Sequence, residues 1–430
     1  MFNLECFFNN LIIELGIKNI MKKDLKTEHK LILSCIKINP NTIELEQINS
    51  LIPLVEDWDY LIATIIGRGI GPLFYKKLPY LSNSFLIPSV VKAKLQQVYY
   101  KTFSRSTVLH EHFRNIATAF AAQGIPVIAL KGIYLSEWLY KDIGLRQLSD
   151  IDLLIKEENG PLCISILTRL GYTQVYDGRS EFVLKNSEFV HYMPMTLNGV
   201  SIELHIKVHR KSEVYQIEPD ELWKNAIANQ IYNSTVFALN LNDLLIHLCV
   251  HLDKHFREGH VQFTCFSDIT NLLNEYHDTI DWDSFIETCR LHNSESVVLR
   301  YIVLVNKYMN APVPELIVQK YCLLLTKKDE ELFIKYLKGY TNFGSSAPVA
   351  THLANLKKLD SYSEKLRYIW EDLFPTRLFM LEKYGLQPAV GSQHSAVGIK
   401  QNFKQKFWWL WYPYRWWIGV KGVFKVISGK

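Results

Sequence analysis

Two aspartates one residue apart, Asp150 and Asp152, stand in the run SDIDLLI, and a third acid, Glu203, stands later in VSIELHIKVH. Alternate residues of a strand share a face. The first run therefore sets both aspartates on one edge while Ile151, Leu153 and Ile155 pack inward. In the second, Ser201, Glu203, His205, Lys207 and His209 share a face opposite Ile202, Leu204, Ile206 and Val208, which can deliver Glu203 to the same edge. Three carboxylates brought together need cations. Oxygen ligands clustered this way suit a hard divalent ion such as Mg²⁺, which bridges one or two carboxylates and substrate phosphates. Phosphoryl or nucleotidyl transfer is the chemistry to which these residues point.

Other polar residues can serve the same edge. Leu130-Lys131-Gly132 falls where a strand gives way to a helix, a place where glycine permits close backbone approach to a phosphate and the helix N-terminus favours an anion. Lys131 and Arg146 add a mobile and a planar cation, although Arg146 can instead pair with Asp142 or Asp150. His205 and His209 lie on the polar face of their strand and can reach the cleft, yet an exposed strand also tolerates histidines. His247, His251 and His255 follow four-residue spacing and line one helical face. The intervening Leu248-Cys249-Val250 lacks the glutamate of a metalloprotease helix, which argues against zinc. That helix can present His251, Lys254 and His255 to the cleft against phosphate, although plain helix–helix packing is the favoured reading. Asp268 either caps a helix or faces the same cleft.

These residues need a folded frame, and the composition provides one. The chain has 430 residues, 48% hydrophobic and 21% charged, which suits two or three structural units and excludes a disordered class. No apolar run reaches the roughly 18 to 20 residues of a membrane-spanning helix. The start of the sequence does not read as a secretory signal, so a cytoplasmic protein is expected. Seven cysteines scattered singly fit a reduced compartment and mostly buried thiols. Net charge is +5, but residues 401–430 carry five lysines, one arginine and no acid. The preceding chain is near neutral, so stable nucleic-acid binding is not expected.

The pattern is helical to about residue 100, and a core follows over 101–215. Its opening helix sets Leu109, Phe113, Ile116 and Phe120 on one face and stops at Gly124 and Pro126. Short β-like runs then alternate with helical ones, and Asn198-Gly199 between two alternating runs predicts an antiparallel hairpin. A second helical region covers 216–385, and a linker with a Trp-rich basic tail covers 386–430. Asp57-Trp58-Asp59 and Asp281-Trp282-Asp283 echo each other, which suggests two related helical units around the core. In the tail, FWWLWYPYRWW reads first as an apolar arm folding back on the helical body, with a weak membrane-surface or peptide contact as the alternative.

The order of strand, Gly-containing turn, helix, aspartate pair and later third acid resembles the DNA polymerase β-like nucleotidyltransferase superfamily. More narrowly, LKG, RQLSDIDLLI, IELHIKV, LLIHLCVHLDKH, SDITNLL and IDWD are similar to the uncharacterised bacterial nucleotidyltransferase family often found in gene clusters for peptide natural products such as lasso peptides. The resemblance implies an α+β fold, with a small mixed sheet and helices flanked by helical N- and C-terminal regions. It implies that Gly132 is the turn glycine, that Asp150 and Asp152 are the metal-binding pair, and that Glu203 is the third acid. Two Mg²⁺ ions, an NTP donor such as ATP and a hydroxyl or phosphate acceptor follow from it. The acceptor it suggests is a ribosomally made peptide, one that can already be phosphorylated. Lys131 departs from the wider superfamily, which has Gly or Ser there. Two rival readings are a toxin-like transferase acting on tRNA and a degenerate fold that only binds a nucleotide or peptide. The near-neutral body weighs against the first, and the presence of all three acids weighs against the second.

Overall fold

The alternating runs between residues 125 and 240 pair into one mixed sheet. The computed structural model describes residues 25–175, 182–183, 189–210, 213–231, 234–258, 263–339, 356–357, 359–376, 380, 412–413 and 416. Its strands are β1 (Ile128–Ala129), β2 (Asp150–Leu154), β3 (Thr173–Gln174), β4 (Met195–Leu197), β5 (Val200–His205), β6 (Ile227–Ile231) and β7 (Ser234–Ala238). They lie in the order β3-β4-β5-β2-β1-β7-β6. Strands β2 and β5 are parallel, as are β1 and β7, and the other neighbours are antiparallel. The fold is α+β, as expected. Asn198 and Gly199 join β4 to β5 with φ of 51° and 77°. Two successive left-handed residues are what a two-residue hairpin turn demands.

Before the sheet come α1 (Thr27–Ser34), α2 (Thr42–Leu51), α3 (Trp58–Gly67), α4 (Gly71–Lys77) and α5 (Ser89–Ala121). Helix α5 buries Leu109, Phe113, Ile116 and Phe120 and ends just before Gly124, whose φ is +68°. It runs unbroken across residue 100 and packs on β2, β5 and β7. Among the strands lie α6 (Lys131–Trp138), α7 (Gly160–Arg169) and α8 (Pro219–Lys224), and after them α9 (Leu241–Glu258), α10 (Phe263–Tyr276), α11 (Trp282–Leu291) and α12 (Glu295–Met309). Further on are α13 (Glu315–Tyr321), α14 (Lys327–Leu337) and α15 (Tyr362–Leu373).

One hydrophobic core runs from Leu25 to Leu337 through the sheet, so helices from both flanks share it with the strands. Asn271 on α10 clamps the early chain, accepting from Ile38 N at 2.7 Å and donating to Ile36 O at 3.1 Å. The two Asp-Trp-Asp echoes have a local cause. Asp57 and Asp281 are both N-caps, accepting backbone N–H groups of α3 and α11. Cys35, Cys163, Cys249, Cys265 and Cys289 are buried free thiols. Among the described residues no helix is long and apolar enough to cross a membrane. Of the tail, Tyr412 Oη donates to Pro375 O at 2.8 Å and Trp416 Nε1 to Leu373 O at 3.0 Å, with both rings against Phe374. Most of the linker and tail lies outside the described residues.

Candidate active site

The parallel register of β2 and β5 sets Asp150 opposite Ser201, Asp152 opposite Glu203 and Leu154 opposite His205. Two acids are thus neighbours on adjacent strands by backbone pairing alone. The α5 side chain Arg105 holds the start of both strands, donating from Nη2 to Ser149 O at 3.2 Å and to Gly199 O at 2.9 Å. The turn ahead of α6 is tied in as well, since Leu130 N donates to Asp152 O at 3.0 Å.

Asp152 is buried at the centre of a charged network. Its Oδ2 lies 3.1 Å from Lys131 Nζ, and its Oδ1 accepts from His205 Nε2 at 2.7 Å. His205 Nε2 also stands 3.4 Å from Glu203 Oε2, which lies 3.6 Å from His191 Nε2. Burial opposes ionisation of Asp152, but the Lys131 ammonium and the His205 hydrogen bond outweigh it and hold the carboxyl well below the usual range. Glu203 is lowered too, with burial again overcome by His205 and His191. Asp150 is raised instead, by burial and then by the charge of Asp152, although Ser149 donates to its Oδ1 at 2.8 Å. His205 itself is buried rather than on an exposed strand. Burial would lower its pKa, and the hydrogen bonds to Asp152 and Glu203 turn the shift upward.

The turn explains the Lys131 departure. Lys131 has φ of 44°, the left-handed region where Gly is at ease and a lysine is strained by about 1–3 kcal/mol. In return its ammonium reaches Asp152. At Gly132 a Cβ would sit 2.5 Å from Arg146 Nη1 and 2.8 Å from Leu148 Cδ2, so glycine is needed for side-chain packing at this turn. Arg146 cannot yield. Its Nε and Nη2 donate to Asp268 Oδ1 and Oδ2 at 2.9 and 2.7 Å, and Tyr140 Oη donates to Asp268 Oδ1 at 2.9 Å. Asp142 and Asp150, the partners considered from sequence, bond to Lys76 with Tyr99 and to Ser149. Arg146 therefore lines the cleft with its guanidinium already engaged bidentately, and Asp268 lies behind it in α10.

Lys131, Gly132, Arg146, Asp150, Asp152, Glu203, His205, His251, Lys254 and His255 all line one cleft. Strand β5 ends at His205, so the alternation that groups Lys207 and His209 with Glu203 stops there. His209 still borders the cleft, accepting from Ile217 N at 2.7 Å through Nε2 while Nδ1 donates to Arg210 O at 2.8 Å. On α9, His251 and His255 meet Nε2 to Nε2 at 3.1 Å. His247 is only 2% exposed, and neither of its ring nitrogens has a hydrogen-bond partner among the described residues. Burial, then the Lys131 charge, pushes its pKa down to about 3 and holds His251 well below the usual histidine value.

A family model of uncharacterised nucleotidyltransferases matches residues 55–310. The chain belongs to this family. The match spans the turn, the acid strands and both cleft helices, so the geometry above lies wholly within the nucleotidyltransferase region. No curated protein matches the chain. One residue of this nucleotidyltransferase cleft has no signal in the sequence pattern, His191, while Asp268, read as a helix cap or a cleft residue, is instead the buried partner of Arg146. His191 arrives through an isolated bridge to His205, formed as Tyr192 N donates to Leu204 O at 2.8 Å and Ile206 N to Val190 O at 2.9 Å. A divalent ion suits this family's chemistry, and the donors fit one. Asp152, Glu203 and His205 bring ligand atoms within 4.8 Å of one another, among the described residues. Asp150, Asp152 and Glu203 put three carboxylates against the one Lys131 ammonium at this edge, a local excess of negative charge that suits a cation.

Proposed function

We propose that this protein is a metal-dependent nucleotidyltransferase that moves a nucleotidyl group from an NTP to a hydroxyl or phosphate acceptor. The observation that carries the reading is the register pairing of Asp152 with Glu203 on parallel strands, with Asp150 at the same edge and the Lys131–Gly132 turn beside it. Asp150, Asp152 and Glu203 would hold Mg²⁺. When bound, the ion neutralises triphosphate charge and makes an acceptor oxygen easier to deprotonate.

The chain's own residues supply the rest. Lys131 contributes a fixed cation to the triphosphate, and Arg146, clamped by Asp268, keeps the turn shaped around Gly132. Glu203 is held ionised by His205 and His191, so it contributes charge and a ligand atom on the acceptor side. A second Mg²⁺, if used, would be held by Asp150 and Asp152 together with the phosphates of the NTP. Arg210, His251, Lys254 and His255 line the cleft and suit an anionic acceptor. A ribosomally made peptide, phosphorylated or not, is the acceptor to try first.

The test follows label from the α-phosphate of each NTP onto acceptor candidates. Asp150→Asn and Asp152→Asn each remove a negative ligand without changing volume. Both are expected to abolish transfer while circular dichroism stays native. Retention of the wild-type rate in both would refute the reading.

A further inference from the structure

The family resemblance accounts for a cation held by carboxylates, and it leaves the imidazoles unexplained. Asp150, the first member of the aspartate pair, is outside the tight donor group, and His205 is inside it. His205 is 6% exposed, with Nε2 at 2.7 Å from Asp152 Oδ1 and 3.4 Å from Glu203 Oε2. One nitrogen and two carboxylates therefore converge where a cation would sit.

His247 is an independent sign of a ligand. It is buried at the same cleft, and neither ring nitrogen has a hydrogen-bond partner among the described residues. An unsatisfied buried polar group is destabilising, and no described side chain offsets that here. A polar ligand in the cleft, such as a water on a bound ion, would. The buried imidazole stays neutral, so it does not repel a dication.

We propose that His205 ligates the divalent ion through Nε2 alongside Asp152 and Glu203, so that the cleft takes a first-row transition ion such as Mn²⁺ in preference to Mg²⁺. This rests on the nucleotidyl-transfer reading and deepens it. Mg²⁺ demands hard oxygen donors in a near-ideal octahedron and keeps its waters. Imidazole nitrogen suits first-row transition ions such as Fe, Ni and Zn, and Mn²⁺, the hardest of that series, is matched by a set that is mostly carboxylate with one imidazole, where Mg²⁺ gains little from the nitrogen. For Nε2 to ligate, the neutral ring must carry its one proton on Nδ1, so the hydrogen bond to Asp152 would be given up and any second ring proton would go to solvent as an ion binds.

The experiment titrates the full chain with Mn²⁺ without nucleotide, reading free ion by electron paramagnetic resonance and then competing with Mg²⁺. Wild type should bind Mn²⁺ at least about tenfold more tightly than Mg²⁺. Spin-echo modulation from a coupled nitrogen nucleus should be present. His205→Gln should lose that modulation and about 10- to 100-fold in Mn²⁺ affinity, while Mg²⁺ affinity moves far less. His205→Asn, with circular dichroism of both variants, guards against a mere folding defect. Equal affinities in wild type, no nitrogen modulation, or modulation that persists in both His205 variants overturns the assignment. The two readings fail separately. Label transfer with Mg²⁺ and no nitrogen coupling sinks the imidazole ligand and spares nucleotidyl transfer. Nitrogen-coupled Mn²⁺ with no transfer from any NTP does the reverse.

Discussion

His247 gives the sharpest test of the cleft. Burial lowers its pKa to about 3, the Lys131 and His205 charges add to the penalty, and Asp152 opposes it. In the unfolded chain the same imidazole titrates near 6.5. Between these values the unfolded state binds a proton that the native state refuses, so stability falls as the pH drops. The contribution is fully present above about pH 6.5 and is lost toward pH 3. The slope is about 1.4 kcal/mol per pH unit for one proton. From about pH 7.5 to about pH 5 the loss from His247 alone is therefore about 2 kcal/mol.

His247→Leu removes the titration and two unpartnered buried atoms while keeping much of the volume. The variant should be at least as stable as wild type near neutral pH. Its stability should then fall by about 2 kcal/mol less on acidification to about pH 5. Urea denaturation of the protein in the presence of a chelator at a series of pH values measures both slopes, and their difference cancels the titrating groups that do not feel His247. His251 shifts in the same direction, mainly through burial and Lys131, which are common to both proteins. Parallel slopes would refute the reasoning, because they would mean that His247 is solvated or hydrogen-bonded in the native state.

Three other outcomes follow from the same geometry. Gly132→Ala should cost about 1–3 kcal/mol and weaken NTP binding, because the new methyl meets a guanidinium that cannot swing aside; unchanged denaturation and binding would show a soft turn. Asp268→Asn should cost about 3–5 kcal/mol by denaturation, since it leaves the buried Arg146 charge with half its partner. A loss under about 1 kcal/mol would mean that Arg146 finds another carboxylate. Glu203→Gln should lower kcat at least about 100-fold with NTP affinity changing less. Lost nucleotide binding with an intact rate at saturation would move Glu203 to the nucleotide side.

What the sequence made legible was local. Alternation in IDLLI and VSIEL gives two strands, the Asn198-Gly199 pair gives the turn between β4 and β5, and both follow from backbone sterics within a few residues. The pairing of Asp152 with Glu203 could be anticipated because each sits on the polar phase of its strand. The histidines were harder. Four-residue spacing sets His247, His251 and His255 on one side of α9, but spacing does not say whether that side meets a cleft or another helix. Arg146 and Asp268 are separated by 122 residues, and only the packing of α10 behind the turn makes them a pair. The alternation rule also overran its strand. It carried Lys207 and His209 onto a face that ends at His205, where the chain leaves the ladder.

Lys131 shows how a departure from a family pattern can be resolved by conformation. The residue that opens α6 takes a left-handed conformation in this chain, which a glycine would adopt without strain. Lysine there costs about 1–3 kcal/mol of backbone energy. The cost is sustained because the same residue places an ammonium 3.1 Å from the buried Asp152, whose charge would otherwise be stranded beside Asp150 and Glu203. Lys131 therefore offsets part of the negative charge that Asp150, Asp152 and Glu203 bring together, which a glycine in the same conformation cannot do.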